Sequence, residues 1–268
     1  MSKKIGAFEK RIHEIDFVRG AMMLLVIMDH VFWYFKAYGA SWFNATGVEF
    51  WNVQYKIFEF YWTSAARTII RQIVLFGFVF VSGISCAFSK NNWKRAGLML
   101  LVGFALNLVT AYMQAVVGSN VQTYIIHFNV IYVLGWSCLI YCFIQNKSWK
   151  MSIAFMLIFF LFTFVGMPAM QAVPGAENAY MPAVFPIPST IVTADWMPLF
   201  PYICYFFAGA ALTRFLYPTK ESIFPKRYNF ERPFCFVGRH AIWVYMCHEP
   251  LLVIIYFFLN MIVLAGVK

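Results

Sequence analysis

Asp16–Phe35 reads DFVRGAMMLLVIMDHVFWYF. About 20 mostly apolar residues in a helix cross the roughly 30 Å hydrocarbon core of a bilayer, so this run is expected to span. The polar, basic stretch Met1–Glu14 precedes it, and no small-residue cleavage site follows. The expectation is a retained anchor and not a removed signal. Runs of the same kind recur at Ile69–Phe88, Ala96–Val116, Tyr124–Phe143, Met151–Met167, Leu199–Leu216 and Ala241–Leu264. The expected fold is therefore all-α: a polytopic transmembrane helix bundle of about seven spans, within six to eight. Only short polar breaks separate the runs, so one membrane domain is expected over residues 1–268.

Composition agrees. Of 268 residues, 62% are hydrophobic and 12% charged, and a soluble domain carries roughly twice that charged share. The net charge of +10 does not point to nucleic acid, because the basic residues form no aromatic-interleaved face. They lie at the ends of the apolar runs, where topogenesis and anionic lipid account for them. The cysteines Cys86, Cys138, Cys142, Cys204, Cys235 and Cys247 show no paired spacing across an outer loop. They imply neither a disulfide framework nor a metal site, and no metal is expected elsewhere.

Lys and Arg set the expected orientation. With the N-terminus cytoplasmic, the inner segments hold Lys3, Lys4, Lys10 and Arg11, then Lys90, Lys94 and Arg95, then Lys147 and Lys150. The last inner stretch adds Arg214, Lys220, Lys226, Arg227, Arg232 and Arg239. The outer stretches Gln114–Tyr124 and Pro168–Pro198 hold none, which is the positive-inside pattern. Ala37–Thr68 is aromatic and carries Glu49, Lys56, Glu59 and Arg67. It is too charged to span and suits an amphipathic helix lying at the interface. Pro168–Pro198 is Pro-rich and includes Glu177 and Asp195, and long outer loops of this kind often shape a binding site.

Ionisable side chains inside hydrocarbon are costly and are functional candidates for that reason. In the first run Asp16 and Arg19 share a helix face and can pair. His30 lies about 16 Å deeper than Arg19 at 1.5 Å per residue, on roughly the same face. Asp29 points about 100° away from His30, so the two need separate partners. In the last run, Arg239 and His240 stand at the cytoplasmic start. His248–Glu249–Pro250 is expected to interrupt the helix at a depth comparable with His30, Pro250 introducing a kink. His127 and Asn129 open the fourth run on its outer side. Ser82, Gly83 and Ser85 suit close helix packing, and Asn107 an interhelical hydrogen bond.

These residues resemble a known group. Ile15–Gly20 followed by Met28-Asp29-His30 is similar to the opening of the heparan-alpha-glucosaminide N-acetyltransferase catalytic-domain family. Val81–Ser85, Trp93–Gly97, Ile126-His127-Phe128, Pro198–Tyr202 with Gly209, Gly238–Ala241 and His248–Leu251 follow in that family's order. The spacing from Arg19 to His30 also resembles transmembrane acyltransferases that O-acetylate surface sugars. The resemblance implies transfer of an acetyl group from cytoplasmic acetyl-CoA to a sugar amine or hydroxyl on the outer side. In the lysosomal member the functional His follows an Asn in the first luminal segment. Here His30 occupies that Asn position and Ala37–Thr68 has no His. A bacterial inner-membrane enzyme acting on a cell-envelope glycan or lipid-linked sugar fits this chain better than one acting on heparan.

The expected catalytic set is His30, with Asp29, His248 and Glu249. Asp16, Arg19, Lys94, Arg95, His127, Asn129, Arg239 and His240 are the candidates for holding acetyl-CoA and substrate. The partners expected are the bilayer, acetyl-CoA and a glycan acceptor, with no nucleic acid; a homodimer is compatible with the chain. Two other functions fit the same polar groups: a proton-coupled transporter using them as a relay, and a noncatalytic partner of polysaccharide assembly.

Overall fold

The computed structural model describes residues 12–117, 125–175, 193–224 and 226–266. Lys3, Lys4, Lys10, Arg11, Glu177 and most of Pro168–Pro198 lie outside them. The elements run α1 (His13–Thr46), α2 (Glu49–Thr63), α3 (Ala65–Phe88), α4 (Asn92–Val117), β1 (Ile126–Phe128), α5 (Val130–Ile144) and α6 (Trp149–Leu161). A π-helical turn at Phe162–Gly166 leads into α7 (Met167–Gln171), and β2 (Asp195–Trp196), α8 (Tyr202–Leu216), α9 (Glu231–Arg239) and α10 (Ala241–Ala265) follow.

Each of the seven apolar runs contains a helix. Among the described residues four stretches are long and apolar enough to cross a membrane: Ala65–Phe88, Asn92–Val116, Trp149–Gln171 and Ala241–Ala265. The apolar helices α5 and α8 are shorter. The fold is thus helical and membrane-like. α1 has 34 residues, about 50 Å at 1.5 Å per residue. Its polar and aromatic positions dilute its hydropathy.

Three details differ from expectation. Tyr124–Phe143 is not one helix: Ile126–Phe128 pairs in parallel with Asp195–Trp196. Asn129 then caps α5 by accepting from the backbone N–H groups of Ile131 and Tyr132. A capping Asn prefers extended backbone, so the helix starts after it. Second, α10 runs unbroken through Pro250. The ring withholds one N–H from the Met246 carbonyl, a local loss that the flanking apolar turns tolerate. Third, Ala37–Thr68 is helical as expected but divided: α1 extends through Thr46, and Gly47 ends it in the left-handed conformation at φ 67°. The charged, aromatic remainder forms α2, which packs on α1.

The chain groups into two compact units, Met1–Phe78 with Glu221–Lys268 and Val79–Lys220, with α3 running through the division. In the first unit α1 crosses α9 at Gly20 and Gly238. A Cβ on Gly20 would collide with the Phe234 carbonyl, and one on Gly238 with the Asp16 carbonyl. Further along α1, Tyr34 and Trp42 are buried with Leu252 and Tyr256 of α10. Trp42 Nε1 donates to Asn260 Oδ1 at 2.8 Å, and the Tyr256 hydroxyl to the Val31 carbonyl at 3.2 Å. Buried ring polar groups thereby find partners, as an apolar surround demands.

The second unit repeats the small-residue device. Gly83 of α3 and Gly209 of α8 meet where a Cβ on either would strike the other helix's backbone, at Phe206 and Phe80 respectively. The Asn107 side chain donates to the His127 carbonyl at 3.2 Å, tying α4 to β1.

Close crossings of this kind set a test. Gly20→Ala and Gly238→Ala are each expected to lower stability by about 1–3 kcal/mol, the usual cost of overpacking. Gly97, whose added Cβ meets nothing within 4 Å, should accept Ala without loss, since Ala is the better helix former. Thermal melts in one detergent would compare the three variants.

Candidate active site

The polar groups of α1 and α10 meet within the first unit. His30 and His248 lie edge to face with ring centroids 4.9 Å apart. His30 Nε2 stands 3.2 Å from Glu249 Oε1, and the Tyr34 hydroxyl donates to Glu249 Oε2 at 3.0 Å. Helical spacing explains the assembly. His30 and Tyr34 are four residues apart on α1 and so share a face, while His248 and Glu249 are neighbours on the helix opposite.

Both imidazoles are anchored in the same way. His30 Nδ1 lies 2.8 Å from the Val26 carbonyl, and His248 Nδ1 lies 2.6 Å from the Tyr245 carbonyl. A carbonyl only accepts, so each Nδ1 carries the hydrogen and each neutral ring presents its lone pair at Nε2. His248 is buried, whereas the His30 and Glu249 side chains are 37% and 43% exposed. The cluster is closed on the His248 side and open on the other.

Asp29 belongs to a different arrangement. Arg67 of α3 grips it through two hydrogen bonds, Nε to Oδ1 at 2.8 Å and Nη2 to Oδ2 at 2.7 Å. The Tyr61 hydroxyl donates to Oδ1 at 3.2 Å. Burial and then the negative charge of Asp29 push the Tyr61 phenol above its ordinary pKa, so it stays a donor. The Arg67 guanidinium also sits over the Trp62 ring, 3.4 Å from its centroid. Asp29 is thus a neutralised anchor joining α1, α2 and α3, turned away from the imidazoles.

The remaining candidates fall into separate groups. Arg19 Nη1 meets Asp16 Oδ1 at 3.4 Å and donates to the Gly238 carbonyl at 3.2 Å, beside the α1–α9 crossing. Arg239 Nε donates to the Cys235 carbonyl at 3.0 Å, and exposed His240 ends α9 with Nδ1 on the Phe236 carbonyl. Lys94 and Arg95, in the first turns of α4, and His127 and Asn129, beside α5, belong to the second unit. Arg67, Tyr34 and Tyr61 were not singled out from the sequence as site residues. An intramembrane carboxylate needs a cation, and Arg67 stood among the charges that kept Ala37–Thr68 out of the membrane.

The chain matches the family model described as heparan-alpha-glucosaminide N-acetyltransferase, catalytic, over residues 11–250. The chain belongs to that family. Neither curated proteins nor solved structures give a match. Family membership makes it an acyltransferase-type membrane protein. The His30–His248–Glu249 cluster lies wholly inside the matched span.

The Asp29–Arg67 pair is open to a double-mutant cycle. Asp29→Asn or Arg67→Met alone should cost about 3 kcal/mol, because either leaves one sequestered group uncompensated. The double variant should recover part of that loss, a coupling that unfolding measurements in detergent would quantify.

Proposed function

We propose that this protein is an integral membrane acetyltransferase. It moves an acetyl group from cytoplasmic acetyl-CoA to an amine or hydroxyl of a sugar on an extracytoplasmic glycan or lipid-linked saccharide. The reading includes a cytoplasmic N-terminus and about seven spans, the usual run length setting the count, in a bacterial inner membrane. The observation that carries it is the His30–Glu249 contact beside His248, in a chain of this family.

The geometry supports the following roles. His30 is the general base. Its Nδ1–H is held by Val26, and its Nε2 lone pair takes the proton as the sugar nitrogen or oxygen attacks the thioester carbonyl. Glu249, 3.2 Å from that Nε2, stabilises the imidazolium so formed, and Tyr34 orients the carboxylate. The tetrahedral intermediate collapses with loss of the CoA thiolate, which takes the proton back from His30. The acetyl group ends on the sugar, and the free thiol returns to the cytoplasm. The basic groups near the start of α1 and the end of α9, Arg19 and Arg239, suit the phosphates of CoA, which Arg pairs bidentately.

Purified protein should transfer label from acetyl-CoA to an envelope sugar, and acetyl-CoA should raise its melting temperature, as a ligand of the folded state does. His30→Ala should lower transfer by about 10²-fold or more, the usual contribution of general base catalysis, with the melting profile kept. Full transfer by that variant would remove His30 from the mechanism. Proton-coupled flux in liposomes, with no acetyl transfer, would favour a transporter.

A further inference from the structure

The same cluster holds three lone-pair donors turned toward one another. His30, His248 and Glu249 each offer one ligand atom, and these atoms all lie within 4.8 Å of one another. Both Nδ1 hydrogens are committed to backbone carbonyls, so neither ring offers a hydrogen to the centre in its neutral form. Among the described residues His248 Nε2 has no hydrogen-bond partner, and its residue is only 6% exposed. A buried acceptor left unmet is costly. One proton shared by His30 and Glu249 satisfies that pair and leaves His248 unmet. A single cation at the centre meets all three.

We propose that His30, His248 and Glu249 bind one divalent transition-metal ion, with Zn²⁺ the best match to two imidazoles and a carboxylate. The surroundings fit this chemistry independently of the ligands. Metal-binding histidines characteristically donate their other ring N–H to a carbonyl or carboxylate, which fixes ring and tautomer. Both rings do so here. The liganding carboxylate is likewise usually hydrogen-bonded, and Tyr34 holds Glu249 Oε2, leaving Oε1 for the ion. Tetrahedral zinc with bonds of about 2.0–2.1 Å sets its ligand atoms roughly 3.3 Å apart. The His30–Glu249 pair already stands at 3.2 Å. Three protein ligands leave a fourth position on the open His30–Glu249 side, as in zinc centres that admit a small molecule.

Binding of the ion does not depend on acetyl transfer; one consequence does. An imidazole that ligates a metal through Nε2 cannot also take a proton there. On the acetyltransferase reading, the ion and the reaction therefore compete for His30, and Zn²⁺ acts as a reversible brake.

The test uses tag-free, chelator-washed protein in detergent, titrated with Co²⁺ as a spectroscopic probe. The d–d absorption of low-coordinate Co²⁺ should saturate at one equivalent per chain and be displaced by Zn²⁺. His30→Ala and His248→Ala should each weaken binding about 100-fold or more, beyond the 10–100-fold typical of losing a supporting contact. His248→Gln, which keeps more of the side-chain volume, serves if the alanine variant does not fold. No saturable Co²⁺ signal from the wild-type chain overturns the site, as does a signal unchanged in a folded His30→Ala/His248→Ala double variant. The two readings fail separately. Metal-free protein that transfers acetyl but never binds Co²⁺ overturns the ion alone, while Co²⁺ binding without transfer overturns the acetyltransferase. Where both hold, one equivalent of Zn²⁺ should suppress transfer and a chelator restore it.

Discussion

Asp29 and His30 stand side by side in an otherwise apolar stretch of α1, and neither can be left there without a partner. An ionised carboxylate in such surroundings needs a cation and hydrogen bonds, while the His30 ring has its Nδ1 on the Val26 carbonyl and is left to find a partner for Nε2. Neighbours on a helix diverge by about 100°, and these two side chains take different partners. Asp29 therefore turns to α2 and α3, where Arg67 and Tyr61 meet it. His30 turns to α10, where His248 and Glu249 stand. Much of the first unit follows from this division: α2 and the start of α3 come to one side of α1, and α10 to another.

The two sides end with different chemical potential for reaction. Around Asp29 every strong group is consumed. The guanidinium is bidentate on the carboxylate and stacked on Trp62. Around His30 the backbone takes the N–H groups and leaves the lone pairs, so the cluster has unspent basicity. Rigidity comes from elsewhere: the Gly20–Gly238 crossing at one end, and the Tyr34–Tyr256–Trp42 stack with its Asn260 bond farther along. Those contacts fix α1 against α9 and α10 without using the reactive groups.

Apolar run length carried most of the helical fold, because the chain must satisfy its backbone within each segment. The Asp16–Arg19 pair was likewise legible from helical spacing, as was the divergence of Asp29 from His30. The strand pair β1–β2 was not. Its three and two residues are too few for a period, and its partners are distant in sequence. Pro250 suggested an interruption, yet the cost of one missing hydrogen bond did not outweigh the apolar turns around it. The meeting of His30 with His248 was visible only as equal depth, since depth along a helix is readable from the sequence and the face of a distant helix is not. Arg67 was hidden by its own charge, which argued for the interface before its salt bridge with Asp29 was known.

The exposure of the cluster bears on how the proposed base and the proposed metal ligand set share one site. His248 is sealed in, and among the described residues its Nε2 is unmet. Its neighbours on the open side do constrain it. Glu249 reaches His30 through Oε1 and Tyr34 through Oε2, so the carboxylate cannot turn to His248 without giving up a contact. With Nδ1 on the Tyr245 carbonyl, the ring keeps its lone pair at Nε2. Such a ring suits a centre that passes between empty, protonated at His30, and metal-bound states with little rearrangement of backbone. A site with that freedom has to be governed by what enters from its open side.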